Sequence, residues 1–142
     1  MKNFVSAFAL LPLALGVGSA LAAEECSVAT LKGTYLFAYE GFAIEGNKRA
    51  PFATAGLEVY DGQGNVRETY TVSINGKIDR NVRTDGQYVV NADCTSTVSY
   101  SDGTHYDQFL APDGSTFVLV QTNPGTVAAG FEPRATARRV GD

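Results

Sequence analysis

Residues 66–76 read VRETYTVSING, and this stretch decides the fold class. Its apolar side chains are Val66, Tyr70, Val72 and Ile74, and they alternate with polar ones. Such alternation is typical of a β-strand that buries one face and exposes the other. Asn75-Gly76 follows directly, and this pair favours a two-residue hairpin turn. The stretch therefore predicts a strand that reverses into an antiparallel neighbour.

Turn sequences recur on both sides of this strand. From residue 61 onward they are spaced by about 10 to 17 residues, which is typical of consecutive antiparallel strands. The turn clusters are Gly46-Asn47, Asp61–Asn65, Asn75-Gly76, Asp85-Gly86, Asp102-Gly103, Pro112–Gly114 and Asn123–Gly125. The strands predicted between them cover residues 34–42, 53–59, 66–74, 87–92, 97–101, 106–111, 116–122 and 126–131.

About eight strands joined by tight turns leave two exposed edges unless the sheet closes. We therefore predict an all-β fold, an antiparallel up-and-down barrel, with a two-sheet β-sandwich as the alternative. In the strand over residues 53–59 the apolar positions are expected to face inward, namely Ala53, Ala55, Leu57 and Val59. Glu58 lies on the opposite face of that strand and is expected to contact solvent.

The N-terminal segment has the pattern of a secretory signal. Lys2 precedes an apolar run from Phe4 to Val17, and Ala20-Leu21-Ala22 resembles a signal-peptidase site. The run is too short for a mature membrane-spanning helix. We predict a signal peptide over residues 1–22 and a single barrel domain over 23–142, exported to the periplasm or the extracellular space with no membrane span after cleavage.

Cys26 and Cys94 are the two cysteines of the chain. Disulfides persist in the oxidising compartments to which exported proteins go, so an intramolecular Cys26–Cys94 bridge is expected. An intermolecular bridge or a reactive thiol is the alternative.

Charge and motifs exclude several function classes. The chain carries 11 Lys and Arg against 15 Asp and Glu, a formal net charge of −4, so binding to nucleic acid through its phosphates is not expected. Phosphate-binding, dinucleotide-binding and hydrolase-elbow motifs are missing from the sequence. The Asp61–Asn65 loop lacks the ligand spacing of a calcium loop. We expect no metal and no cofactor.

A few side chains remain as candidates for chemistry. His105 has the one side chain whose usual pKa is near neutrality, and Asp107 shares its face of the predicted strand. Glu40 lies in a strand that is apolar on both faces, so a buried position with a raised pKa is possible for it. His105, Asp107 and Glu40 are the candidate catalytic residues; exposed positions for them are the alternative.

Tyrosines supply the candidate binding residues. Tyr70, Tyr88 and Tyr100 fall on the predicted inner faces of successive strands, and Tyr39 lies in the first strand. Several phenols around a lumen offer aromatic walls with a few polar groups, which suits a small apolar or aromatic ligand. Aromatic core packing is the alternative.

Two strands are apolar on both faces, Tyr35–Tyr39 and Phe117–Val120. If the barrel closes between its first and last strands, their outer faces lie close together and need a cover. We predict a contact between copies of this chain there, with coverage by the chain's own tails as the alternative.

The order Cys26-x4-Leu31-Lys32-Gly33-Thr34-Tyr35, Tyr60–Asn65, Gly86-Gln87-Tyr88 and Asp93-Cys94 resembles that of a group of uncharacterised exported bacterial single-domain proteins. More distantly, the size and strand rhythm are similar to calycin-type and allene-oxide-cyclase-like barrels. That resemblance implies a barrel of a kind that includes ligand carriers, cofactor-free enzymes and some trimers. It transfers no catalytic residue.

Three functions follow as hypotheses. The first is an exported barrel that binds a small apolar or aromatic molecule. The second is a cofactor-independent isomerase or cyclase that transfers protons through His105 and a carboxylate. The third is an envelope structural or interaction protein without a pocket.

Overall fold

The computed structural model describes residues 25–136, and the chain there forms a closed eight-stranded antiparallel barrel. A short 3-10 helix, Val28–Thr30, precedes the strands. The strands are β1 Lys32–Glu45, β2 Lys48–Asp61, β3 Asn65–Ile74, β4 Lys77–Val90, β5 Thr95–Tyr100, β6 His105–Leu110, β7 Thr116–Gln121 and β8 Thr126–Pro133.

Each strand pairs with the next along the chain, and β8 pairs with β1 to close the barrel. This closure confirms the predicted up-and-down barrel and excludes the two-sheet sandwich. The hairpin predicted from residues 66–76 is also present: Asn75 and Gly76 have φ of +49° and +85° between the paired ends of β3 and β4. The predicted signal peptide lies outside the described residues.

One predicted turn is wrong. Asp85-Gly86 lies inside β4, where Gly86 pairs with Tyr100 of β5. A Cβ at residue 86 would lie 2.7 Å from Cδ1 of Tyr100. Glycine is therefore needed here for close packing of an aromatic ring, and the backbone continues as a strand.

The predicted orientation of β2 is also wrong. Leu57 and Val59 are 45% and 48% exposed on the outer face, whereas Glu58 and Thr54 point into the barrel. The strand takes this orientation because Tyr60, fully buried at the same phase as Glu58, packs against Tyr35. A buried aromatic ring contributes more apolar area than the alanines that alternate with it.

One end of the barrel is closed by the N-terminal segment. Leu31 is fully buried there, beneath Tyr35 and Tyr60. The Tyr88 hydroxyl donates to the carbonyl oxygens of Val28 and Leu31, at 3.0 and 2.8 Å. We call this end the base; the opposite end is open.

The Cys26–Cys94 disulfide, as predicted, ties the N-terminal segment to the chain just before β5. Such bridges are typical of oxidising compartments. No helix within residues 25–136 combines the length and the apolar character needed to cross a membrane.

Candidate functional site

A hydrogen-bonded network centred on Glu58 occupies the middle of the barrel. Glu58 is 4% exposed, and its two carboxyl oxygens accept hydrogen bonds from the hydroxyls of Tyr60 and Tyr100. Gln108 donates from Nε2 to the Tyr60 hydroxyl at 2.8 Å, and Ser96 donates to Gln108 Oε1 at 2.9 Å. We call these five residues the Glu58 network; it joins β2, β5 and β6 across the lumen.

A second carboxyl lies beside Glu58. Glu132 of β8 is fully buried, and neither of its carboxyl oxygens has a hydrogen-bond partner among the described residues. Burial raises the pKa of Glu58, and burial together with the adjacent Glu58 raises the pKa of Glu132 to about 11. Two adjacent buried carboxyls cannot both be charged, so at least one of them holds a proton. Because Glu58 already accepts two phenol hydrogen bonds, we assign a proton to Glu132.

Between the Glu58 network and the open end the lumen widens into a cavity of about 300 Å³. We call it the mouth cavity. Its walls come from inward-facing positions of β1, β2, β3, β6, β7 and β8 and from the turn between β5 and β6. The wall residues considered below as contacts for a ligand are Tyr39, Thr54, Glu68, Tyr70, Val72 and Tyr106.

Glu68 provides the buried carboxyl of the mouth cavity. It is 5% exposed, it pairs across the sheet with Glu58, and no described residue donates a hydrogen bond to it. Burial, and then the neighbouring Glu58 and Asp102, raise the pKa of Glu68 to about 9. At neutral pH this carboxyl is therefore protonated, and it can donate a hydrogen bond or release a proton.

Three phenols, those of Tyr39, Tyr70 and Tyr106, add to the polar lining. The hydroxyls of Tyr39 and Tyr106 are 2.6 Å apart and hydrogen-bonded across the cavity. Burial raises the pKa of both groups, and it raises the pKa of Tyr70 to about 12. All three phenols are neutral at physiological pH, so they supply aromatic faces and hydroxyl groups rather than charge.

The four tyrosines predicted to bind a ligand lie at three levels of the lumen. Tyr39 and Tyr70 line the mouth cavity. Tyr100 lies deeper, in the Glu58 network, and Tyr88 lies at the base. All four point inward, but only the first two can contact a molecule that enters from the open end.

The predicted catalytic residues do not form a site in the lumen. His105 and Asp107 are exposed on the outer face of β6, where His105 Nδ1 lies 2.8 Å from the Ser99 hydroxyl. Glu40 is exposed on the outer face of β1. The strand period explains this: the inward positions of β6 are Tyr106 and Gln108, so their neighbours point away from the lumen.

The sequence analysis did not select Glu58, Glu68, Glu132, Thr54 or Tyr106 as site residues, and it placed Glu58 on the solvent side. One signal was available for Glu68, which shares the phase of Tyr70 and Val72 in the clearest strand of the chain. For Glu58 the signal was the phase of Tyr60, two residues along. No local pattern identified Glu132, because the carboxyl that accompanies it is on a distant strand.

Other features of the described residues give weaker indications of a function than the mouth cavity does. A concavity of about 800 Å³ is a groove on the outside of the barrel lined by side chains such as Arg67 and Gln87. Within the described residues no group of three or more His, Cys, Asp or Glu side chains is arranged to hold a metal ion.

Comparisons of the chain with protein-family models, curated proteins and solved structures gave no significant match. The geometry of the barrel is therefore the basis for assigning a function.

Proposed function

We propose that this protein is an exported barrel that binds a small, largely apolar or aromatic molecule in the mouth cavity. The observation that carries the proposal is a tyrosine-walled cavity, open at one end, that contains the buried hydroxyl of Thr54, which has no hydrogen-bond partner among the described residues. Its volume of about 300 Å³ is at the lower end of the range for small-molecule sites. The Glu58 network closes its floor, so a ligand would enter and leave through the open end.

The proton-transfer alternative based on His105 lacks support. It requires the imidazole and a carboxylate to line one cavity, and His105 lies on the opposite side of the strand from Tyr106 and the lumen. The separation of the two faces by the barrel wall favours the binding function.

A cavity-filling substitution tests the binding site. Val72→Phe adds a ring to the wall of the mouth cavity, whereas Thr71→Phe adds the same ring to the outer face of β3. We expect Val72→Phe to reduce ligand retention at least tenfold, or about 1.4 kcal/mol, with little change for Thr71→Phe. The measurement is native mass spectrometry of protein purified from an exporting host, with the mass of any retained small molecule read from the complex.

The same spectrum tests export and cleavage. The N-terminal pattern and the disulfide support a periplasmic or extracellular location. The mature chain should begin at Ala23 and carry no free thiol.

The binding proposal has its own contradicting outcome. It would be contradicted if no molecule co-purified with the protein and a library of small molecules yielded no binder.

We further propose that a second copy of the chain covers an apolar area on the outside of the barrel. This outer patch consists of Leu36, Leu57, Phe109, Val118, Val120 and Phe131, each between 45% and 55% exposed. Phe109, Val118 and Phe131 are direct cross-strand neighbours on β6, β7 and β8. Of the two strands predicted to make the contact, only the outward positions contribute; Tyr35, Tyr39, Phe117 and Leu119 point inward.

The oligomer is tested by a charge at the centre of the outer patch. Val118→Glu should leave a monomer, because burying an unpaired carboxylate between two apolar surfaces is costly. Gln87→Glu adds the same charge on the polar side of the barrel and should leave the assembly unchanged. Sedimentation velocity gives the masses; a wild-type monomer at roughly tens of micromolar would contradict the proposal.

A further inference from the structure

The ionisable groups in and below the mouth cavity are carboxyls and phenols, which carry either negative charge or none. Glu68 lies in its wall and Asp102 at its rim, while Glu58 and Glu132 lie beneath it. Within residues 25–136, no Lys, Arg or His lines the cavity. A protein field of one sign favours a ligand of the opposite sign and disfavours an anion.

A polar group without a partner points into the same space. Thr54 is only 8% exposed and lines the mouth cavity, yet its Oγ1 has no hydrogen-bond partner among the described residues. Buried hydroxyls are nearly always hydrogen-bonded, and leaving one unpaired costs about 1 to 3 kcal/mol. A ligand atom in the cavity would supply the missing partner.

Aromatic rings form the walls of the cavity around Glu68 and Thr54. Tyr39, Tyr70 and Tyr106 line the cavity, and Phe52 completes the wall on β2. Aromatic faces attract cations, and a cage of several rings is the usual way in which proteins hold an organic ammonium group.

We propose that the mouth cavity binds an organic ammonium ion, a positively charged nitrogen carried on a small apolar or aromatic body, with Glu68 as its counter-ion. The inference rests on the proposed binding function and specifies the chemistry of the ligand. The rings receive the body and part of the charge, the Glu68 carboxylate neutralises the rest, and the Thr54 hydroxyl accepts or donates a hydrogen bond at the edge of the ligand.

Proton linkage makes the proposal specific. The groups that face Glu68 are acids or phenols on every neighbouring element: Glu58 on β2, Tyr39 on β1, Tyr70 on β3, Tyr100 on β5, Asp102 in the following turn, Tyr106 on β6 and Glu132 on β8. None of them supplies positive charge, and the pKa of Glu68 is correspondingly raised to about 9. A bound cation lets Glu68 ionise, so binding releases a proton and becomes tighter as the pH rises toward 9.

The experiment compares two probes of nearly identical shape. Benzyltrimethylammonium is permanently charged, and neopentylbenzene is its neutral isostere, so neither probe titrates. Titration of the mature, disulfide-bonded protein is followed by calorimetry and by amide chemical shifts of the mouth residues. We expect the cation to bind at least about tenfold more tightly than the isostere. Its affinity should rise by up to about tenfold per pH unit between about pH 6 and pH 8, while that of the isostere stays constant.

Two variants distinguish the effect of the Glu68 counter-ion on cation binding from the effect of the overall negative charge of the protein. Glu68→Gln should abolish the pH dependence and remove most of the preference for the cation. Glu40→Gln makes the same change of charge on the outer face of β1 and should preserve both.

Each outcome decides between the proposals. If the isostere binds as tightly as the cation, or if affinity falls with pH, the ammonium inference is overturned while binding in the cavity stands. If library molecules bind the mouth cavity but neither probe does, the inference alone is overturned. If no molecule binds in the mouth cavity, both the ammonium inference and the proposed binding function are overturned.

Discussion

Raising the pH from about 5 to about 8 is expected to lower the free energy of unfolding by at least about 3 kcal/mol. The cause is the set of carboxyls buried in the lumen. Glu68 and Glu132 have pKa values of about 9 and about 11 in the folded protein, against an ordinary value of about 4.3 in the unfolded chain. Their protons are lost on unfolding throughout this pH range.

The sign follows from proton counting. Between about pH 5 and pH 9 the folded state binds more protons than the unfolded state, so stability falls as the pH rises. Each extra proton contributes a slope of about 1.4 kcal/mol per pH unit. The exposed carboxyls of Asp61, Asp93 and Asp113 act in the opposite direction, because hydrogen bonds lower their pKa values. They affect stability only near and below pH 4, and maximal stability is therefore expected near pH 5.

Glu68→Gln isolates one of the buried groups. Glutamine matches the protonated carboxyl in size and cannot ionise, so the variant should lose a slope of about 1.4 kcal/mol per pH unit and become more stable than wild type at neutral pH. Urea unfolding at several pH values measures this. Glu40→Gln, on the outer face, serves as the matched control. A wild-type stability that is flat or rising between about pH 5 and pH 8 would contradict the assigned protonation of the lumen.

The barrel could be predicted because its strands alternate and its turns carry their own chemistry. In β3, apolar and polar residues alternate everywhere except at the inward-facing Glu68, and Asn75-Gly76 can adopt positive φ at both positions. Such information is local, so it can be read from one segment at a time. Closure then follows from the need to pair the edges of the first and last strands.

The orientation of β2 could not be predicted from alternation alone. Its inward face carries Thr54 and Glu58, and its outward face carries Leu57 and Val59, which reverses the usual order. The interior accepts Glu58 because Tyr60 and Tyr100 donate to it, and Tyr100 is distant in sequence. Hydrogen bonding between distant strands decides the cost of a buried polar group, and that cost is invisible in a single strand.

Only part of the candidate site could be predicted, because the rest of it also depends on contacts between distant strands. Tyr39 and Tyr70 were selected as aromatic positions, and the structure places both on the wall of the mouth cavity. His105 was selected for its usual pKa, which says nothing about the face on which it lies. The carboxyls of the lumen acquire their unusual protonation only after burial, and burial is a property of the closed barrel.

Loss of the Cys26–Cys94 disulfide is expected to cost about 4 kcal/mol of stability. The bridge closes a loop of 68 residues, which contains β1 to β4 and therefore half of the barrel. In the unfolded chain it removes much of the freedom of that loop. The Cys26→Ser/Cys94→Ser double variant should unfold at a temperature lower by roughly 15 °C, as measured by circular dichroism under non-reducing conditions.

The location of the bridge separates its effect on stability from any effect on the mouth cavity. Cys26 and Cys94 lie at the base, where the Cys26 amide also donates to the Ala92 carbonyl oxygen. The mouth cavity is at the other end, with the buried Glu58 network between them. At a temperature where the double variant is still folded, its affinity for a cavity probe should equal that of wild type. A large loss of affinity in the folded variant would mean that the base and the mouth are coupled through the network.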